Sequence, residues 1–241
     1  MLIKTKAFVL HYVKYGDASL IVDLFTQSHG RLTFMARVPQ SPKGRLKRQL
    51  FQPLNVLDVD FDYRQNVSMQ KFRDVRIAVP FVSIPFDGYK LSISFFVAEF
   101  LFHSLREEQQ NNPLFEYVVS SIAWLDSCTR QFSNFHLVFL MRLSRFLGFF
   151  PNLDDNADYC YFDLREGCFC KTSPLHPDFL RPDEAGRIKL LMRMNYETMH
   201  LYTMTRQERE RCIEVMISYY KLHIPDFREM KSLDVLREMF D

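Results

Sequence analysis

Alternation of apolar and polar residues with a period of two runs through the first 80 residues and predicts strands. In RLTFMARV, Leu32, Phe34, Ala36 and Val38 fall on one face, and Arg31, Thr33, Met35 and Arg37 on the other. The β-rich run SLIVDLFT precedes it, with SHG at 28–30 between them, so the two read as a hairpin. KAFVLHYVKYGD is an earlier strand that ends at Gly16-Asp17. NVLDVDFDY alternates again, setting Leu57, Val59, Phe61 and Tyr63 against Val56, Asp58, Asp60 and Asp62. NVSMQKFRDV is a fifth strand with a weaker pattern. Five short strands in this span fit a small closed barrel, because closure removes exposed edges.

The period changes near residues 80–90, where Pro80, Pro85 and Gly88 punctuate the chain. Leu91, Phe95, Ala98, Phe102 and Leu105 then fall on one helical face. NNPLFEYVVSSIAWLDSC is a second helix, with Pro113 near its start. FHLVFLMRLSRFLGFF is apolar nearly all round and reads as the buried centre of a bundle. Residues 151–181 are irregular, and further helices are expected at about 182–195, 205–222 and 231–240. The fold class is α+β, with a small barrel followed by a mostly helical remainder.

A hydrophobic fraction of 47% supplies a real core, and only 7 glycines argue against loop-rich cofactor cradles. No apolar run reaches membrane-span length and no signal peptide is read at the N-terminus. Five cysteines, an odd number, do not support a disulfide framework, so a reducing cytoplasm is the expected compartment. No G-x-x-x-x-G-K-[ST], H-E-x-x-H or G-x-S-x-G occurs. The acids Asp154, Asp155 and Asp158 invite a metal-dependent nuclease reading, but such a trio is more often a solvated turn.

Charge changes the picture more. Residues 1–80 hold 13 Lys and Arg against 6 Asp, a balance of +7 in a chain whose net charge is only +2. Arg37, Lys43, Arg45, Lys47 and Arg48 lie in one acid-free stretch punctuated by Pro and Gly, read here as a barrel loop. Cations tracking a groove beside a small barrel suit the backbone of a single-stranded nucleic acid. Arg31 on the neighbouring strand, and Arg64, Lys71, Arg73 and Arg76 on later ones, extend the path. A solvated surface loop, or a barrel that binds a protein partner, are the competing readings.

Two other clusters stand out. Cys160, Cys168, Cys170 and His176 have the spacing C-x7-C-x-C-x5-H. Four such ligands suit tetrahedral zinc, but the spacing is not that of a standard finger, and a hairpin with inward-packed thiols is favoured. Arg142 and Arg145 share a face of the most apolar helix, where two cations need a surface, an acidic partner or a salt bridge to the acids at 154–158.

TKAFVLHYVKYGDASLIVDLFTQSHGRLTF, FLMRLSRFLGFFPNLD, YFDLREG and KSLDVLREMF stand in this order along the chain. Together they resemble the DNA repair protein RecO family. The resemblance implies an N-terminal OB-fold over residues 1–80 that binds DNA and a helical domain over 81–150. A zinc-finger-like insertion spans 151–181, and the C-terminal helices of 182–241 complete the helical domain. It implies a non-enzymatic, nucleoid-associated recombination mediator. Such a protein binds single- and double-stranded DNA, anneals strands, and acts with RecR and in many bacteria RecF to load RecA onto strands coated by single-strand-binding protein. It also implies that the acidic tail of that coating protein is received by an apolar pocket rimmed by Arg, for which Arg142, Arg145, Phe146 and Phe149 are the candidates. The family's two C-x-x-C pairs would fall at Asn156 and Tyr159, and at Cys170 and Ser173. Only Cys170 matches, so the zinc site does not carry over. The hairpin is expected to be metal-free, held by Tyr159, Tyr161, Phe162 and Phe169.

Overall fold

The computed structural model describes residues 1–38, 41–105, 109–152 and 160–239, without the side chains of residues 42, 43, 45 and 46. In chain order come strands β1 (Leu2–Tyr15), β2 (Ser19–Thr26) and β3 (Gly30–Arg37), helix α1 (Pro42–Gln49), and strands β4 (Val56–Asp62) and β5 (Gln70–Val79). Helices α2 (Gly88–Ser104), α3 (Asn112–Ser127) and α4 (Phe135–Phe146) follow, then strands β6 (Tyr161–Asp163), β7 (Cys168–Cys170) and β8 (Phe179–Leu180). Helices α5 (Pro182–Arg193), α6 (Arg206–His223) and α7 (Ser232–Met239) complete the chain. It divides into two compact units, Met1–Ser127 with the segment from Met230, and Cys128–Glu229. The helices expected to act together over 81–150 are thus shared out: α2 and α3 group with the barrel, and α4 with the later helices.

The five strands close in the order β1-β2-β3-β5-β4, with α1 between β3 and β4, which is the OB-fold. Strand β1 is long enough to pair with β4 through its first half and with β2 through its second, and it bends at an irregularity between Val9 and His11. The expected alternation holds: Val9, Val22, Leu24, Phe34, Leu57, Val59 and Phe61 fill the interior with no exposed surface. The other face of the barrel is buried too where α3 covers it. Phe8 stacks on Phe25 at 5.3 Å and on Phe115 of α3 at 5.6 Å. Burying a phenylalanine contributes about 1.5–3 kcal/mol, so this outer layer adds to stability alongside the barrel core.

One expectation is corrected. The basic stretch is not a loop but carries α1. Ser41 is its N-cap, accepting from the Gly44 amide at 3.2 Å, and Pro42 stands at its first turn. The Pro and Gly read as loop punctuation are instead a helix start. On α2, the face named from the period is only partly buried: Ala98 and Leu105 are buried, Leu91 and Phe95 are 37% and 39% exposed, and Ile93, Phe96, Val97, Phe100 and Leu101 are buried beside it. The helix is apolar on all sides, so period alone could not select the face. Tertiary contacts did, and they also buried Lys90.

Lys90 belongs to a polar knot that ties α2 and α3 to the end of β5. The Asp126 carboxylate accepts the backbone N–H groups of Val82, Ser83 and Ile84, each at 2.8 Å. The Lys90 ammonium donates to Ser83 Oγ at 2.6 Å and to the Asp126 carbonyl at 3.1 Å. A second carboxylate seats α7: Glu99 accepts the N–H of Lys231 at 3.0 Å, and that of Ser232 at 2.7 Å together with its hydroxyl at 2.5 Å. Burial pushes the Glu99 carboxyl up, but the hydrogen bonds from His103, Ser232 and Lys231 outweigh it and bring it down to about 2.

In the second unit, α4 runs through the core, with Phe135 to Met141 all buried. Strand β6 pairs with both β7 and β8 in a small antiparallel sheet. Tyr219 of α6 donates to the Phe149 carbonyl at 2.6 Å, and Tyr220 to the Leu140 carbonyl at 2.7 Å. The helices foreseen at about 182–195, 205–222 and 231–240 match α5, α6 and α7 closely.

Two measurements check these staples. Asp126→Ala leaves three backbone donors without their charged acceptor and is expected to lower stability by about 3 kcal/mol, read as a reduced urea midpoint. Glu99 ionises well below its ordinary value of 4.5 in the folded chain, so its contribution is fully present above that value and is lost as pH falls towards about 2. The stability difference between the native chain and Glu99→Gln is therefore expected to be constant near neutrality and to shrink below about pH 4.5, measured by paired denaturation curves.

Candidate nucleic-acid interface

The barrel closes through a short parallel seam, in which Phe34 pairs with Gln70 and Met35 with Lys71. Beyond this seam β3 and β5 diverge, and the last turn of α1 lies across the gap. The result is a cleft of about 310 Å³ lined by Ser19, Met35, Ala36, Arg37, Lys47, Lys71 and Phe72. Three strand and helix elements thus bring three cations to one hollow that no acid lines. None of the three cations makes an ion pair with a described residue. All are exposed. The floor is aromatic: Phe72 stacks on Phe34 at 4.5 Å with rings within 14°, and on Phe51 at 5.5 Å. A solvent-facing set of uncompensated cations above an apolar floor can neutralise phosphates and lay a base against sulfur or ring carbon.

The remaining sequence candidates separate into groups. Arg48 is exposed on the same turn of α1 as Lys47. Arg64 is exposed on the β4–β5 connection, which Gln70 braces by exchanging hydrogen bonds with the Arg64 backbone at 2.9 and 3.1 Å. Arg73 and Arg76 turn instead to acids of β4, Asp62 at 2.5 Å and Asp58 at 3.2 Å. Arg31 is corrected from a surface cation to a structural one. It donates to the Phe102 carbonyl at 2.9 Å, lies 4.5 Å from the Phe102 ring centroid, and pairs with Asp23 at 3.7 Å. The side chains of Lys43 and Arg45 lie outside the described residues. Sequence reading missed Met35 and Phe72, which line the cleft. Their signal was available in the alternation, since Met35 shares a face with Arg37.

The proposed tail-binding set is divided as well. Arg145 is exposed and stacks over the Phe150 ring at 4.3 Å, while Arg142 reaches the Met194 carbonyl at 3.5 Å. Phe146 is half-buried. Phe149, also half-buried, packs against Tyr220 at 4.8 Å, His223 at 5.0 Å and Tyr219 at 5.8 Å. Asp154, Asp155, Asp158 and Tyr159 lie outside the described residues. Among the described residues no helix is long and apolar enough to cross a membrane.

Comparison with known proteins agrees along the whole chain. Residues 1–81 match the family described as recombination protein O N terminal, and residues 85–234 match recombination protein O C terminal. The chain is 53% identical to the DNA repair protein RecO of Phocaeicola vulgatus and 52% identical to that of Bacteroides fragilis, each over the full length of both chains. It is 36% identical to the DNA repair protein RecO of Flavobacterium psychrophilum, again over both full lengths.

The cysteines do not fit a zinc site. Cys168 and Cys170 share one face of β7, opposite Asp163 and Tyr161. Cys160, one residue before Tyr161, falls on the other face by alternation. His176 is engaged with Asp163 at 3.1 Å. Burial, then Asp163 and Cys168, pushes the Cys170 thiol up. No group of three or more His, Cys, Asp or Glu among the described residues could hold a metal ion. The sheet is held instead by Phe162 against Phe169 at 4.9 Å and Tyr161 against Phe179 at 5.9 Å. The purified protein is expected to carry far less than one zinc per chain and to keep its Tm in a chelator, checked by elemental analysis and thermal melts.

Proposed function

The chain belongs to the recombination protein O (RecO) family of DNA repair proteins, and we propose that it acts as a recombination mediator whose barrel binds single-stranded DNA in the Arg37, Lys47 and Lys71 cleft. The observation that carries this reading is the convergence over Phe72 and Met35 of three cations with no ion pair among the described residues. Each phosphate neutralised there releases counterions, so binding is strongly dependent on salt and weakly dependent on sequence. Arg48 and Arg64 lie outside the cleft and supply further phosphate contacts. Neutralising the backbone also lowers the repulsion between two strands, which is the physical requirement for annealing.

In this reading the protein is not an enzyme. It anneals complementary strands and, with RecR and in some settings RecF, helps load RecA onto strands coated by single-strand-binding protein. Double-stranded DNA is bound through the same phosphate contacts. The acidic tail of the coating protein is received near Arg142, Arg145, Phe146 and Phe149. The action is cytoplasmic, on the nucleoid. The competing readings, a protein-binding barrel and a metal-dependent nuclease, predict respectively little salt-dependent DNA affinity and Mg²⁺-dependent cleavage.

Fluorescence anisotropy with labelled single-stranded DNA over a range of salt, with and without Mg²⁺, separates the three. Arg37→Ala, Lys47→Ala and Lys71→Ala together are expected to weaken binding and to flatten the slope of log affinity against log salt by about 2, for three lost phosphates. An unaltered slope in the folded triple variant would move the DNA site away from this cleft.

A further inference from the structure

A second hollow opens beside the last turn of α1, within the same compact unit. It has a volume of about 520 Å³, and its walls include Phe81, Phe86, Leu91 and Phe95 with the side chains of Gln49 and Gln52. Phe86 is 86% exposed and Phe95 39% exposed, a large outlay of bare aromatic surface for one short stretch of chain. Among the described residues no acidic or basic one lines this hollow. Its polar groups are amides, and neither the Gln49 nor the Gln52 side chain has a partner among the described residues. Asn55 is occupied: its amide donates to the Gln49 carbonyl at 2.9 Å and to the Leu50 carbonyl at 3.1 Å, closing the end of α1.

The groove and the basic cleft both border the last turn of α1, one on each side of it. Lys47 lines the cleft, Gln49 lines the groove, and the exposed Arg48 stands between them on α1. At a rotation of about 100° per residue, Lys47 and Gln49 face nearly opposite sides of the helix, and a strand going from one hollow to the other crosses its exposed face past Arg48. Cations on one side and ring faces with free amides on the other divide the chemistry of a nucleotide into its two halves. Phosphates need positive charge, while bases need flat apolar surface and hydrogen-bonding amides at their edges. A helix of a partner protein would use the apolar surface but would leave the adjoining run of uncompensated cations unexplained.

We propose that this groove is a base-stacking site for single-stranded DNA, in which a strand held by its phosphates in the basic cleft passes Arg48 and lays bases on Phe86 and Phe95, with Gln49 and Gln52 at their edges. The inference rests on the DNA-binding reading above. It adds what the cleft alone does not supply, a reason to prefer single strands, because paired bases cannot turn their faces to a protein ring.

The test uses the full chain, with labelled oligo-dT and an abasic oligonucleotide of equal length. Phe86→Ala combined with Phe95→Ala removes one largely exposed and one partly exposed ring, so folding is expected to be retained with a modestly lower Tm. The double variant is expected to lose roughly tenfold or more in affinity for oligo-dT, to keep native affinity for the abasic strand, and to keep the native salt slope. Phe86→Trp is expected to retain oligo-dT affinity. Native oligo-dT affinity in the folded double variant would overturn the proposal, and so would an equal loss on both strands. A change of oligomeric state without a base-dependent loss would also overturn it, making the groove an interface between copies. If the cation variant flattens the salt slope while the phenylalanine variant changes nothing, only the stacking site fails. If the native chain binds neither oligonucleotide, the DNA-binding reading fails and takes this one with it.

Discussion

The barrel must close, and it closes unevenly. Strand β1 pairs along nearly its whole length, with β4 on one side and β2 on the other, whereas β3 and β5 meet through only the pairs Phe34–Gln70 and Met35–Lys71. A ladder that short contributes few backbone hydrogen bonds, so the seam depends on side chains. Phe72, stacked on Phe34 and Phe51, supplies them. The cleft sits where the two strands part and α1 bridges the gap. The weakest line of closure and the candidate site are therefore the same place. A hollow beside a fully paired ladder would have been filled by the alternating side chains of both strands.

Outside the barrel, ordering falls to two carboxylates. Asp126 gathers three consecutive amides at the end of β5, and Glu99 gathers two at the start of α7. Both substitute for secondary structure at points where the chain has left a strand or has not yet entered a helix. Such donors have no backbone partner of their own, and a buried donor without one is costly. Lys90 is buried for the same reason, its ammonium turned to Ser83 and the Asp126 carbonyl. The α7 helix, last in the chain, thus belongs with the first 127 residues and not with its sequence neighbours.

The electrostatics follow from which cations find acids. The outward face of β4 presents Asp58, Asp60 and Asp62, which engage Arg76, Lys4 and Arg73. Exposed pairs of this kind add little stability. Their effect here is on the field, because they cancel positive charge on one side of the barrel and leave that of Arg37, Lys47 and Lys71 uncancelled on another. A first third with a balance of +7 becomes a directed surface and not a diffuse one.

Period and charge along the chain were enough to determine much of this. Alternation at Leu32 to Val38 and at Val56 to Tyr63 marked interior and exterior correctly, and with five strands in 80 residues it implied the closed barrel. The basic bias of the first third needed only counting. Other features depend on partners far away in sequence. Whether Arg31 is a surface cation or a core brace is decided by Phe102, some 71 residues on. The buried face of α2 is decided by what packs on it, since its own sequence is apolar all round. The packing of Phe149 is decided by Tyr219, Tyr220 and His223, some 70 residues on. The helical form of the basic stretch was written locally, in Ser41 and Pro42, but Pro and Gly signal both loops and helix starts. Local pattern specifies which residues can be buried; only the meeting of distant segments selects which of them are, and which charges remain for a ligand.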